Sequence, residues 1–506
     1  MSETPTAPPT APKLGLATKV SYGLGSVASG VGTVALGTAV INYYLVSVVG
    51  LRPGVVGLVI MVSLIIDAVL DPLIGRWSDT FRSPWGRRHP FMYASTIPIA
   101  IGTILLWRHP TWISAAAMPV YVFTVLVILR LAGGLYQIPS DALAPELAPD
   151  YHDRTTLISW RWFFGLVGAV LLSVLLNGVF LRRDAANPLG QNSPVGYANF
   201  GVTAAIIGVS CILISALATH RYIPRLQRPA QRRQSAGETA REIVRVLANP
   251  SLLAIMASGL VSGVAGGITS SLQNFMSYDF WGLTPQIIAA MTLWVAPASV
   301  VGVIAAPLLS RTLDKKRTMM TVFTLSIFVG VVPVSLRLLG LLPSNGSPVI
   351  PLVLTVDLFV ASVLGISGFV IVSSMVADVV EDAAVKTGVR AEGLLFAANG
   401  LLPKFTTGIG VLVGNMMLEF VHFPPAAPGA RIVAVDPAVM HELALISLPV
   451  GAVLNLIAVG VLIFYRIDRS THEANLEALR LGATVTQAPV EPVGGPTIPD
   501  PGAIVS

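Results

Sequence analysis

The chain has 506 residues, of which 54% are hydrophobic and only 11% charged, and its formal net charge is +6. Soluble domains carry roughly 25% charged residues. A chain with a mean hydropathy of +0.74 cannot cover itself with polar surface in water, which excludes an ordinary soluble enzyme and points to a bilayer as the solvent. The 46 Gly and 37 Pro fit this, because neighbouring helices satisfy the backbone groups that such residues free inside membranes.

The first dozen residues are rich in Pro, Thr and Ala, with no apolar stretch after a basic start. They read as a disordered tail and not as a cleaved signal peptide. Apolar stretches of about 17–25 residues then recur. Their cores are 22–48, 54–77, 91–107, 115–143, 157–180, 199–219, 251–275, 285–309, 319–341, 348–376, 393–418 and 442–465. The expected architecture is an all-α integral membrane protein with twelve transmembrane helices in two pseudo-symmetric six-helix bundles. The division is a tail over 1–19, a first bundle over 20–219, a basic linker over 220–249, a second bundle over 250–466 and a tail over 467–506.

The 32 Lys and Arg sort by side. Only Arg52, Arg108, Arg182, Arg183, Arg337 and Arg431 fall in loops on the side away from the N-terminus, and Arg130, Arg161 and Lys404 fall inside helices. The rest lie with the N-terminus. Cytoplasmic loops carry the excess of Lys and Arg, so both termini are expected in the cytoplasm, at a bacterial inner membrane. Net positive charge distributed in this way signals topology; no nucleic-acid partner is expected. Cys211 stands alone in an apolar run, so no disulfide framework forms within the chain.

An internal repeat supports the division. The second segment ends Pro72-Leu73-Ile74-Gly75-Arg76-Trp77-Ser78-Asp79, and the eighth ends Pro307-Leu308-Leu309-Ser310-Arg311-Thr312-Leu313-Asp314. Both read P-L-x-x-R-x-x-D, six helices apart. Internal repeats are a mark of transporters, whose substrate site lies between the repeats near the midplane.

Ionisable residues inside membrane helices are costly, and each is a functional candidate. Asp67 and Asp71 stand four apart in the second segment, on one helix face. Two carboxylates in low dielectric need a cation between them, a proton on one of them, or a basic neighbour. Oxygen ligands suit a small hard cation such as sodium, so the pair is the expected site of a coupling ion, sodium or proton. Lys404 in the eleventh segment is a counter-ion to that pair, a solute ligand, or both. Arg161 in the fifth segment is a solute ligand or a snorkelling side chain. Its neighbour Trp160 is a platform for a sugar ring or an interfacial anchor. In the fourth segment Arg130, Tyr136, Gln137 and Asp141 are further candidates to line a solute cavity. Asp357, in the tenth, adds one acid beyond the number of bases, an excess that would leave room for a cation.

The turn Asp79-Thr80-Phe81-Arg82-Ser83-Pro84-Trp85-Gly86-Arg87-Arg88 reads either as a conformational latch of Asp79, Arg87 and Arg88, mirrored by Asp314, or as a positive-inside anchor. There is no Walker motif, no H-E-x-x-H and no Cys/His cluster, so neither a primary pump nor an enzyme is expected, and no organic cofactor.

These residues resemble the glycoside–pentoside–hexuronide:cation symporters of the major facilitator superfamily, whose relatives include sodium-dependent lysophospholipid transporters. The resemblance is carried by Asp67-Ala68-x-x-Asp71-Pro72-Leu73-x-Gly75, by Ser83-x-Trp85-Gly86-Arg87-Arg88-x-Pro90, and by Ala142-Leu143-Ala144-Pro145-Glu146-Leu147. Ala377-Asp378-Val379-Val380-Glu381, and the positions of Lys404 and Arg161, extend it through both halves. It implies alternating access, cation binding at Asp67 and Asp71, and a monomeric symporter of a sugar, glycoside or uronide. The alternative is a carrier of a lysolipid or another amphipathic molecule. The first segment offers Ser26, Ser29, Gly30 and Thr33 where the melibiose carrier has a sugar-binding acid, and Arg130 has no family counterpart.

Overall fold

In the computed structural model of the chain, residues 14–148, 150–183, 188–225, 249–387, 392–425 and 435–467 are described, with a few positions between 471 and 477. The helices are α1 (Leu16–Ala35), α2 (Thr38–Ser47), α3 (Pro53–Thr80), α4 (His89–Trp107), α5 (Met118–Leu147), α6 (Tyr151–Leu175) and α7 (Pro194–His220) in the first half. The second half has α8 (Pro250–Phe275), α9 (Pro285–Thr292), α10 (Val295–Leu313), α11 (Lys315–Leu338), α12 (Val349–Thr387), α13 (Glu392–Phe420) and α14 (Pro437–Val461). Joining α1 to α2 and α9 to α10 gives twelve crossings. Eleven helical stretches among the described residues are long and apolar enough to cross a membrane, and α13, at 29 residues, completes the set. Most of the 220–249 linker and of the two tails lies outside the described residues.

Local chemistry sets the boundaries. Asp150, Ser193, Asn249, Thr284 and Asp436 each accept backbone N–H groups of the helix that follows, and Pro stands at the start of four of those five helices. Such caps satisfy donors that have no intrahelical partner. They explain why α7 and α14 begin at Pro194 and Pro437, earlier than the predicted 199 and 442: a capping side chain followed by Pro sets each start. The first crossing breaks at Leu36-Gly37, where a Cβ on Gly37 would stand 2.4 Å from the Thr33 carbonyl. Two crossings end in five-residue π-turns, Leu176–Phe180 after α6 and Met276–Phe280 after α8.

The two halves repeat one packing scheme. α1 packs on α6 and α7, as α8 packs on α13 and α14; α4 packs on α5 and α7, as α11 packs on α12 and α14. The tightest pair in each half is glycine-mediated. A Cβ on Gly30 of α1 would meet the Gly165 carbonyl of α6 at 2.1 Å, and one on Gly410 of α13 would meet the Val264 carbonyl of α8 at 2.1 Å. Small residues that let backbones touch drive helix association where lipid removes the hydrophobic driving force.

We call the end of the bundle that carries the 81–88 turn the terminal face, and the opposite end the distal face. Near the distal face one buried apolar cluster runs through both halves, with Tyr43, Tyr44, Trp107, Tyr197, Phe275 and Phe423 in it. Toward the terminal face separate clusters replace it, Leu252, Met319 and Met375 in the second half and Tyr22, Leu143 and Leu157 in the first. Polar contacts across the seam follow the same division. Asn42 donates to the Ser271 carbonyl at 2.8 Å, the Gly54 N–H to Glu419 at 2.8 Å, and Tyr278 to Asn177 at 2.7 Å, all in the distal part. The halves are therefore closed on each other at the distal face.

Candidate transport site

A cavity of about 470 Å³ is walled by α1, α3, α4, α5 and α7 of the first half, and Lys404 of α13 is the residue that reaches it from the second half. That size falls in the range of small-molecule sites. Asp67 and Asp71 lie in α3 one turn apart, followed by Pro72. Lys404 reaches them across the seam, with Nζ 2.8 Å from Asp67 Oδ2 and 2.5 Å from Asp71 Oδ2. Of the readings left open by the sequence, the structure shows the basic neighbour: an ammonium stands between the carboxylates.

Arg130 of α5 lines the same cavity. Its Nε donates to Ser63 Oγ at 3.0 Å, and its Nη1 stands 3.9 Å from Asp67 Oδ2. Two turns further along α5, Gln137 accepts from Ser29 Oγ and donates to Asp141 at 2.8 and 3.0 Å. Asp141 pairs with Arg161 of α6, whose Nη1 also donates to Tyr22 at 2.9 Å and to Ser140 at 2.8 Å. The Asp141 carboxylate is half exposed and lies one turn nearer the terminal face than Gln137, so this second cluster borders the mouth of the cavity.

Three expectations need correction. Trp160 does not line the cavity. It packs on Gly23 of α1 and stacks on Phe164 at 5.6 Å, filling the α1–α6 contact. Asp357 lies in α12, away from the cavity lining. The bases Arg130, Arg161 and Lys404 therefore face Asp67, Asp71 and Asp141, and the excess acid is not at this site. Asp314 does not mirror Asp79. It starts α11 with φ 65°, and its carboxylate enters no ion pair among the described residues.

At the terminal face Asp79 and Arg88 are 3.4 Å apart, but the centre of the cluster is Glu146, which pairs with Arg87 and, at 2.5 Å, with Arg88. Burial pushes the Arg88 guanidinium down from its usual range, and the Glu146 charge opposes that shift. In the second half the corresponding pair is Lys315 with Asp378, at 2.7 Å. The partners missed from sequence were Ser63, Tyr22 and Ser140, whose hydroxyl groups carry no signal of their own. Glu146 and Asp378 were visible as motif residues, without an assigned partner.

The family model for MFS/sugar transport proteins matches residues 21–469. The chain belongs to that family. This agrees with the resemblance to glycoside–pentoside–hexuronide:cation symporters, and the chain is a transporter, not an enzyme. Among its relatives in this family, an uncharacterized symporter, sll1374, of Synechocystis sp. is 24% identical over 91% of this chain and 96% of its own. The isoprimeverose transporter of Lactiplantibacillus pentosus is 24% identical over 79% of each chain. The solved D-xylose-proton symporter matches with a TM-score of 0.61 at 15% identity, covering 88% of this chain and 96% of that one. That last likeness is one of fold.

Proposed function

We propose that this MFS/sugar transport protein couples the movement of a monovalent cation, sodium or a proton, to the movement of a sugar or glycoside by alternating access. The observation that carries the reading is the Lys404 ammonium held between Asp67 and Asp71 across the seam of the two halves. Two ionised carboxylates this close require a positive partner. A coupling cation that enters must displace Lys404, and a displaced Lys404 unties α3 from α13. Cation binding and the state of the seam are thereby one equilibrium, which is what coupling requires. Ser29, Thr33, Thr103 and Gln137 in the lining favour a polyhydroxylated solute over a lysolipid.

The basic loops support an orientation with both termini in the cytoplasm of a bacterial cell, so that the cavity here opens inward. The proposed working unit is a monomer.

The test is uptake into proteoliposomes under an imposed sodium or proton gradient. Asp67→Asn and Asp71→Asn each abolish uphill accumulation. Accumulation at the wild-type level by the double Asn variant removes the coupling assignment.

A further inference from the structure

We propose that Asp279 is a proton site at the distal face, separate from the Asp67–Asp71 pair, and that this face closes only when Asp279 is protonated. This rests on the alternating-access reading above and adds the condition under which one of the two states forms.

Asp279 stands in the π-turn Met276–Phe280, at the end of the bundle where the halves are closed on each other. Its Oδ2 is shut off from solvent without a hydrogen-bond partner, and its carboxyl enters no ion pair among the described residues. The titratable groups nearest to it are two buried phenols. Tyr278 belongs to the same turn. Tyr43 of α2 comes from the other half, packs its ring 5.0 Å from that of Tyr278, and lies within range of the Asp279 charge.

The charged groups on the surrounding elements are turned elsewhere. Arg183, whose carbonyl accepts from Gln286 of α9, gives its own Nε to the Pro188 carbonyl. Arg337 of α11 is held by the Pro343 carbonyl and Asn345. Glu419 of α13 accepts from the Gly54 N–H. Arg52 after α2, and Asp436, His441 and Glu442 at the start of α14, are exposed.

A carboxylate enclosed without a cation or a donor costs far more than a neutral carboxyl in the same place. The distally closed state therefore holds Asp279 protonated. When the halves part at this face, Tyr43 leaves with the first half, water reaches the turn, and the carboxylate is solvated. Closing binds one proton from the distal side and opening returns it there. Low pH on that side favours closure, and closure is lost as the pH rises. Because this proton enters and leaves on one side, Asp279 controls when the protein turns inward and leaves the driving gradient to the Asp67–Asp71 pair. One linked proton changes the opening equilibrium by at most about tenfold per pH unit.

The test is labelling of a Ser47→Cys reporter, in a Cys211→Ser background, by an impermeant maleimide at the distal face of proteoliposomes. The distal pH is varied with the internal buffer fixed and no solute present. Each rate is divided by that of the same protein denatured at the same pH, which removes the thiol's own titration. With Asp279 in place, this ratio is expected to rise at least about tenfold from about pH 5 to about pH 7, above the ordinary carboxylate range. Asp279→Asn should remain slow and change less than about twofold. Asp279→Ser, which also lacks a titrating group, should be equally flat and serves if the Asn variant is not produced. A flat ratio with Asp279 in place, or a pH dependence that persists in the neutral variants, overturns the proposal and leaves alternating access standing. No labelling at any pH, with the denatured protein labelled normally, overturns it and counts against alternating access as well.

Discussion

Tyr278 donates its hydroxyl to Asn177 Oδ1 at 2.7 Å across the seam, and each residue stands in a five-residue π-turn at the distal end of its helix. Each π-turn widens its helix end by one residue, and π-turns recur at functional positions. Here the two turns bring the halves within hydrogen-bonding range beside the Tyr43–Phe275 ring contact at 5.0 Å.

Tyr278→Phe removes that bond and leaves the Asn177 carbonyl buried without its donor. The expected loss is about 1–3 kcal/mol from the distally closed state, a population shift of roughly 5- to 150-fold. A Ser47→Cys reporter in a Cys211→Ser background reads it through the rate of labelling by an impermeant maleimide applied at the distal face. An unchanged rate means that this contact does not hold the face shut.

Lys404→Asn tests the ammonium as a stand-in for the coupling ion. The variant leaves Asp67 and Asp71 with Arg130 alone, at 3.9 Å from Asp67. The pair then needs an external cation more, not less. Calorimetry should show cation affinity rising by at least about tenfold, the equivalent of about 1.4 kcal/mol, while uphill solute accumulation disappears. Weaker cation binding would show that Lys404 supports the site and does not compete for it.

At the terminal face the acids differ in weight. Glu146 is shielded and holds two arginines, whereas the Asp79 side chain is 56% exposed and stands 3.4 Å from Arg88. Glu146→Gln should cost about 3 kcal/mol, as expected for breaking a buried pair. Asp79→Asn should cost under about 1 kcal/mol. Thermal unfolding in detergent compares them, and equal shifts would contradict the central place given to Glu146.

The number of helices and the Asp67, Asp71 and Lys404 constellation were legible because lipid makes polar groups conspicuous. An aspartate in Ile65-Ile66-Asp67-Ala68 stands out by composition alone. What was not legible depends on pairing between segments. Nothing in the sequence says that Trp160 turns to Gly23, or that Asp141 meets Arg161 at the mouth while Arg130 remains deeper. The start of α7 at Pro194 was written in the Ser193-Pro194 capping pair, a signal that a search for apolar stretches does not read. Asp314 repeats the sequence context of Asp79, yet its backbone turns into the left-handed region and its neighbour Lys315 takes the ion-pairing role with Asp378.

Glycine contacts give a contrast in stability. Gly30→Ala places a methyl group against the Gly165 carbonyl, 2.1 Å from the ideal Cβ position, and neither backbone has a rotamer with which to yield. The expected cost is about 3 kcal/mol, the upper end for overpacking. Gly330→Ala, where an added Cβ meets nothing within 4 Å, should be neutral or stabilising by about 0.5–1 kcal/mol. Yield of monodisperse protein and melting temperature distinguish them, and a tolerated Gly30→Ala would show that α1 and α6 can slide apart.

Backbone-to-backbone contact inside each half has a mechanical corollary. With Gly30 against Gly165 and Gly410 against Val264, the α1–α6 and α8–α13 pairs have little slack, and under the proposed alternating access each pair is expected to move as a block. The lever arms meet at the α3–α13 edge, where the Gly54 N–H grips Glu419. A nanobody clasped over that outer edge would jam the rocker from outside and arrest turnover without ever entering the solute's path.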